Sequence, residues 1–216
     1  MTTKTEIQQH LCAALSAETD TLLTSRSFSR KVHSIEYKRQ CKEGEQLLQM
    51  YFEFRPSSQP RADSRIYPWI TVVLPKLNRV ALDMVNHVSL LIGDPNITFS
   101  QPIDFVIPKE RHIAWYTYGR ESAFECVRAI RSSLETWVLP FLDEYTTARS
   151  LMAAYEMHDQ RFGWQRPFYI YVAAAYILAE QVESASKVLA DHFGRPGSRR
   201  KYATAFEYVA ARLKKD

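Results

Sequence analysis

Residues 48–54, LQMYFEF, decide the fold class. Leu48, Met50, Phe52 and Phe54 alternate with Gln49, Tyr51 and Glu53. A period of two is that of a β-strand with one face in a core and the other toward water. Upstream, Thr3 and Glu6 have capping-box spacing, and Ile7, Leu11, Ala14, Leu15 and Leu22 share one helical face. That predicts a helix to near Thr24, followed over 28–40 by a heavily charged edge strand. Residues 42–45 read as a turn and 56–64 as a polar loop. Downstream, Ile66–Leu74 predicts a second strand with Pro68 near its start, where a missing donor is tolerated.

Residues 77–92 have a helical period at Val80, Met84, Val88 and Leu91. Ile97–Ile107, interrupted by Pro102, and Ile113–Tyr118 predict further strands. The links between strands are short, which favours antiparallel pairing. From Phe124 to Phe141 the apolar residues recur every three or four positions. This predicts a long helix over the sheet, kinked or ended at Pro140. Phe52 and Leu134 are expected in the core. Beyond Thr146 no strand period survives, and four helices are expected. One pair spans 168–180 and 184–193, with Gly194 as the left-handed residue after it and Ser198 capping the last helix. The fold class is therefore α+β: an antiparallel sheet of about five strands covered by helices, then an all-helical C-terminal subdomain. The division is expected at 1–145 and 146–216.

The 216 residues are 46% hydrophobic and 24% charged, values of a chain with a proper core. Cys12, Cys41 and Cys126 are sparse and odd in number, which points to reduced thiols rather than a disulfide framework. No apolar signal core opens the chain and no apolar run is long enough for a bilayer, so a cytoplasmic protein with no membrane partner is expected. The net charge of +4 is mildly basic. Lys and Arg cluster at Arg26/Arg30/Lys31, Lys38/Arg39/Lys42 and Arg195/Arg199/Arg200/Lys201.

Motifs that carry chemistry are missing. No second His or Cys stands at metal spacing from His10, His33, His87, His112, His158 or His192. Glu156, His158 and Asp159 point apart on a helix. There is no nucleophile elbow, dinucleotide fingerprint or P-loop. Neither a catalytic residue nor a cofactor or metal is assigned. Aromatic residues, at 12%, exceed what a core needs. Trp164, Arg166, Phe168 and Tyr171 crowd one helix break, a composition that suits an interface hot spot or a packing plug. Trp115 and Tyr118 raise the same question, since alternation puts Trp115 opposite Tyr116 and Tyr118.

Residues 169–193 resemble a single tetratricopeptide hairpin, with Tyr169, Ala173, Tyr176, Ala185 and Leu189 at that family's packing positions. The layout, with Val138–Leu142 in the covering helix, resembles small bacterial α+β proteins, some of them immunity proteins of toxin loci. The missing motifs, the surplus aromatics and the helical appendage point to a non-enzymatic protein that binds another protein; the resemblance implies a toxin domain neutralised by occlusion, and the positive charge suits an acidic surface on that partner. A nucleic-acid-associated protein using the basic clusters is the alternative, and an enzyme with a dispersed site the third reading.

Overall fold

The computed structural model describes residues 2–214. The chain divides into two compact units. The first comprises residues 1–41, 45–71 and 100–144, and the second 42–44, 72–99 and 145–216. The sequence placed the division at 145/146 alone. Residues 72–99 go with the C-terminal helices because the helix they contain packs on two of them.

In the first unit, α1 (Lys4–Glu18) starts on the expected capping box: Glu6 N–H donates to Thr3 Oγ1 at 3.2 Å and Thr3 N–H to the Glu6 carboxylate at 2.7 Å. A short α2 (Asp20–Ser25) follows. The expected strand over 28–40 is two pieces, β1 (Ser29–Arg30) and β2 (Glu36–Cys41), because 31–34 form a turn with His33 at φ 64°. Strands β3 (Gly44–Phe54), β4 (Ser64–Val73), β5 (Phe99–Pro102) and β6 (Trp115–Thr117) complete the sheet. The order is β1-β2-β3-β4-β5, with β6 also paired to β4. Strand ends Gly44, Val72–Val73 and Phe99 belong to the second unit.

Pro68 lies in the middle of β4, not near its start. The Asp63 backbone carbonyl accepts from Arg55 N–H on the β3 side at 2.9 Å, and Asp63 N–H donates to the Thr117 carbonyl on the β6 side at 2.8 Å. So β3 takes one edge of β4, while β6 and β5 share the other. The β6 register ends at Ile66, and the Val72 carbonyl accepts from Thr98 at 2.9 Å. Pro68 lies between those two points, where β4 passes from one partner to the other along this edge.

Leu48, Met50, Ile66 and Ile70 are buried on one face of the sheet, whereas Phe52 is half-buried. Helix α4 (Arg120–Ser133) packs along α1 and against β6. Pro140 neither ends nor breaks the covering helix. Residues Leu134–Val138 widen into a π-turn, in which Leu139 N–H reaches back to the Leu134 carbonyl. The helix then continues as α5 (Leu139–Glu144), and Pro140, which has no N–H to donate, directly follows this widened turn.

In the second unit, α3 (Pro75–Met84) is shorter than expected, because Asn86 and His87 take φ of 49° and 60°. The C-terminal region holds α6 (Ala148–Glu156), α7 (Phe168–Leu178), α8 (Val182–Phe193), α9 (Pro196–Lys201) and α10 (Ala203–Leu213). The last expected helix is thus two, with Pro196 rather than Ser198 opening α9. Gly194 is right-handed, at φ −66°, so its place is not that of a left-handed cap. Helix α7 is apolar all round and packs against α3, α6 and α8, which explains why Val172–Ala175 are buried.

Candidate functional site

The second face of the sheet carries rings where an antiparallel sheet usually carries polar side chains. Alternation sends Tyr51 and Glu53 of β3, Arg65, Tyr67 and Trp69 of β4, and Tyr116 of β6 to the side opposite the buried residues. Tyr51 is 47% exposed, and Tyr67, Trp69 and Tyr116 are half-buried. The rings are held in place. Tyr51 meets Trp69 edge to face at 6.3 Å between centroids. Trp69 donates its indole N–H to Ser100 Oγ at 2.5 Å, and Tyr67 donates its hydroxyl to Glu53 at 2.6 Å. That bond to the Glu53 carboxylate pushes the Tyr67 hydroxyl above its ordinary pKa, so it stays a donor. The Arg65 guanidinium lies over Tyr67 at 4.7 Å and over Tyr116 at 5.5 Å. The β3–β4 loop adds two ties, from Ser58 to the Tyr116 hydroxyl (3.0 Å) and from Gln59 to that of Tyr118 (3.1 Å).

Of the residues singled out in the sequence, this surface includes Tyr118, which is 52% exposed. Trp115 points the other way, 5% exposed, with its indole N–H buried and without a hydrogen-bond partner among the described residues. Phe168 and Tyr171 are interior to the second unit, 8% and 2% exposed, so burial removes them from any partner surface. Phe168 packs against Phe99, Phe162 and Trp164 at 5.2–6.0 Å. Trp164 is half-buried. It stacks on Tyr169, whose ring lies 3.4 Å from that of His192, and donates to the Asp159 carbonyl at 2.8 Å. These contacts are those of a packing plug. Arg166 remains exposed and donates to Ser198 Oγ at 3.3 Å. The aromatic segment 164–168 and the basic segment 195–201, separate in sequence, are thereby joined on one surface.

The basic clusters differ in their pairing. Arg30 makes a two-pronged contact with Asp20 at 3.0 and 2.8 Å, Arg39 bonds Asp143 and Gln46, and Lys38 pairs with Glu45. Arg199 and Lys201 instead lie over the rings of Phe206 and Tyr202, and among the described residues no ion pair reaches Arg195, Arg199, Arg200 or Lys201. Across the units, the first carries 14 Lys/Arg against 14 Asp/Glu, and the second 14 against 10. The whole net charge therefore lies in the second unit.

Nothing in the titrating groups marks an activated nucleophile. Burial pushes the Cys12 thiol up, with Arg30 only partly opposing, and burial likewise raises Cys126. Such thiols are protonated at neutral pH. Burial lowers His192, whose Nε2 lies 3.0 Å from the Tyr155 hydroxyl. Glu156 accepts from Tyr176 and Asp159 from Arg161 and Tyr145. Among the described residues no cluster of His, Cys, Asp and Glu has metal-binding geometry, and no helix is long and apolar enough to cross a membrane. Compared with protein-family models, curated proteins and solved structures, the chain matches none of them.

The sequence reading missed Tyr51, Arg65, Tyr67 and Trp69, and of this set raised only Tyr116, as a ring on the side opposite Trp115. Their signal was present: two adjacent strands in which the positions opposite the core residues hold rings and an arginine rather than Thr, Ser or Lys.

Proposed function

We propose that this protein binds another protein through the open face of its sheet and acts by covering that partner's surface, not by transforming it. The observation that carries this reading is the ring-and-arginine set of Tyr51, Arg65, Tyr67, Trp69 and Tyr116, each held by a neighbour. Interface hot spots are enriched in Trp, Tyr and Arg. Rings already fixed in the free protein lose little freedom on binding. The first unit is formally neutral, which suits a protein surface better than a phosphate backbone. In its specific form, drawn from the layout resemblance, the partner is a toxin domain and this chain its immunity protein.

The test is capture from the native host with the parent and with Trp69→Ala as baits. A protein recovered by the parent and lost by the variant supports the reading, and a toxin gene adjacent to this one supports its specific form. Equal recovery by both baits contradicts it. A second reading, nucleic-acid association, is favoured by one observation: Arg195, Arg199, Arg200 and Lys201 form a run of cations without an ion pair among the described residues.

A further inference from the structure

Three stretches far apart in sequence meet within the second unit. Glu43 N–H donates to the Thr146 carbonyl at 3.2 Å, and the Glu43 carboxylate accepts from Ala148 N–H at 2.9 Å. Gly44 lies against the start of α3, where a Cβ would overlap the Val73 carbonyl and come within 3.1 Å of Pro75 Cδ. These contacts bring Lys42, Lys76 and Arg149 to one cleft of 570 Å³. All three are exposed, and among the described residues none is in an ion pair. Glu43 also lines the cleft, but its carboxylate is engaged at the start of α6.

The cleft carries three cations against the single carboxylate of Glu43. Lys76 stands in the first turn of α3 and Arg149 in the first turn of α6. Helix dipoles favour acids there and disfavour cations, and three like charges at one cleft repel one another. An anion supplied from outside would relieve both costs. The cleft also has an apolar wall: Leu178, 41% exposed, and half-buried Ala179, backed by Met152 and Ala175, which are buried. A bare anion would leave that wall wet. No aromatic ring lines the cleft, so a nucleic acid would find no base to stack on.

We propose that this cleft takes an acidic peptide segment of a protein partner. Its carboxylates meet Lys42, Lys76 and Arg149, and an apolar side chain lies on Leu178 and Ala179. The proposal stands independently of the open sheet face, which lies on other residues.

An array of short random peptides, probed with the full chain and with Lys76→Glu/Arg149→Glu, tests it. Glu in a helix's first turn is favoured, so the variant keeps its fold, as thermal melting checks. The peptides held by the parent and lost by the variant should be rich in Asp and Glu with Leu, Met or Phe between them. In fluorescence titration with the best such peptide, affinity should fall about tenfold or more in the charge-reversed variant and in Leu178→Asp. It should be unchanged in Trp69→Ala, even if that variant has lost its sheet-face partner. The proposal is overturned if no peptide separates parent from variant, or if the separating peptides are neutral or basic. It is equally overturned if a single-stranded RNA oligonucleotide displaces the peptide and binds more tightly, or if Trp69→Ala abolishes peptide binding.

Discussion

Trp69 of β4 and Tyr51 of β3 meet edge to face on the open side of the sheet, with planes at 79°. The contact orients two large rings before any partner arrives. Trp69→Ala should therefore cost binding more than about 2 kcal/mol, as truncating a central hot-spot aromatic does. Stability should change far less, because the ring is half in water. Denaturation curves and a binding titration on the same preparation check both halves.

Leu134 is fully buried at the π-turn of the covering helix, while Phe52 is half-buried. Leu134→Ala should destabilise by about 2–5 kcal/mol. Phe52→Ala should cost less, contrary to the equal effects that alternation alone suggests. Urea melts that rank Phe52→Ala above Leu134→Ala would contradict the burial pattern.

Gly44 has no room for a side chain against the Val73 carbonyl. Gly44→Ala should destabilise by about 1–3 kcal/mol, as overpacking does. A change within experimental error in the same melt would mean that the β3 start and the α3 start are not so closely apposed.

Burial opposes ionisation of Asp20, but bonds from Arg30 and Tyr37 outweigh it and hold its carboxyl below the usual range. A carboxylate depressed in the folded state stabilises the fold above its unfolded pKa, and that stabilisation is lost as pH falls through the folded value. Arg30→Met should therefore lower the melting temperature most at neutral pH. The gap from the parent should close as pH falls below about 4, toward and past the folded value. A gap that is constant with pH would show that Arg30 acts through its place over the Tyr37 ring, at 5.4 Å, rather than through the Asp20 carboxylate.

Local rules made much of the fold legible. Thr3 and Glu6 announce their helix because a cap depends on residues three apart, and 48–54 announces its strand because alternation is a property of the strand itself. Pro140 misled, since a π-turn one step earlier absorbs a proline that single-residue propensity treats as a break. Alternation also separated Trp115 from Tyr116, yet it does not tell which face a helix will cover. That is set by α1 and α4, distant in sequence, so although alternation put Tyr51 opposite the core residues of its strand, the joining of Tyr51, Tyr67 and Trp69 on one open face was not legible. The pairing of Arg30 with Asp20 and the placing of Arg199 over the Phe206 ring likewise depend on tertiary geometry, which is why three similar basic clusters could not be ranked from composition.

The most direct measurement is a titration of the captured partner against the parent, Trp69→Ala and Arg199→Glu/Arg200→Glu/Lys201→Glu, each over a salt series. The open face as the binding surface predicts a protein partner, a large loss with Trp69→Ala, a small effect of the charge reversals and a shallow dependence on salt. A nucleic-acid partner whose affinity falls steeply with salt, lost with the charge reversals and indifferent to Trp69→Ala, would contradict it.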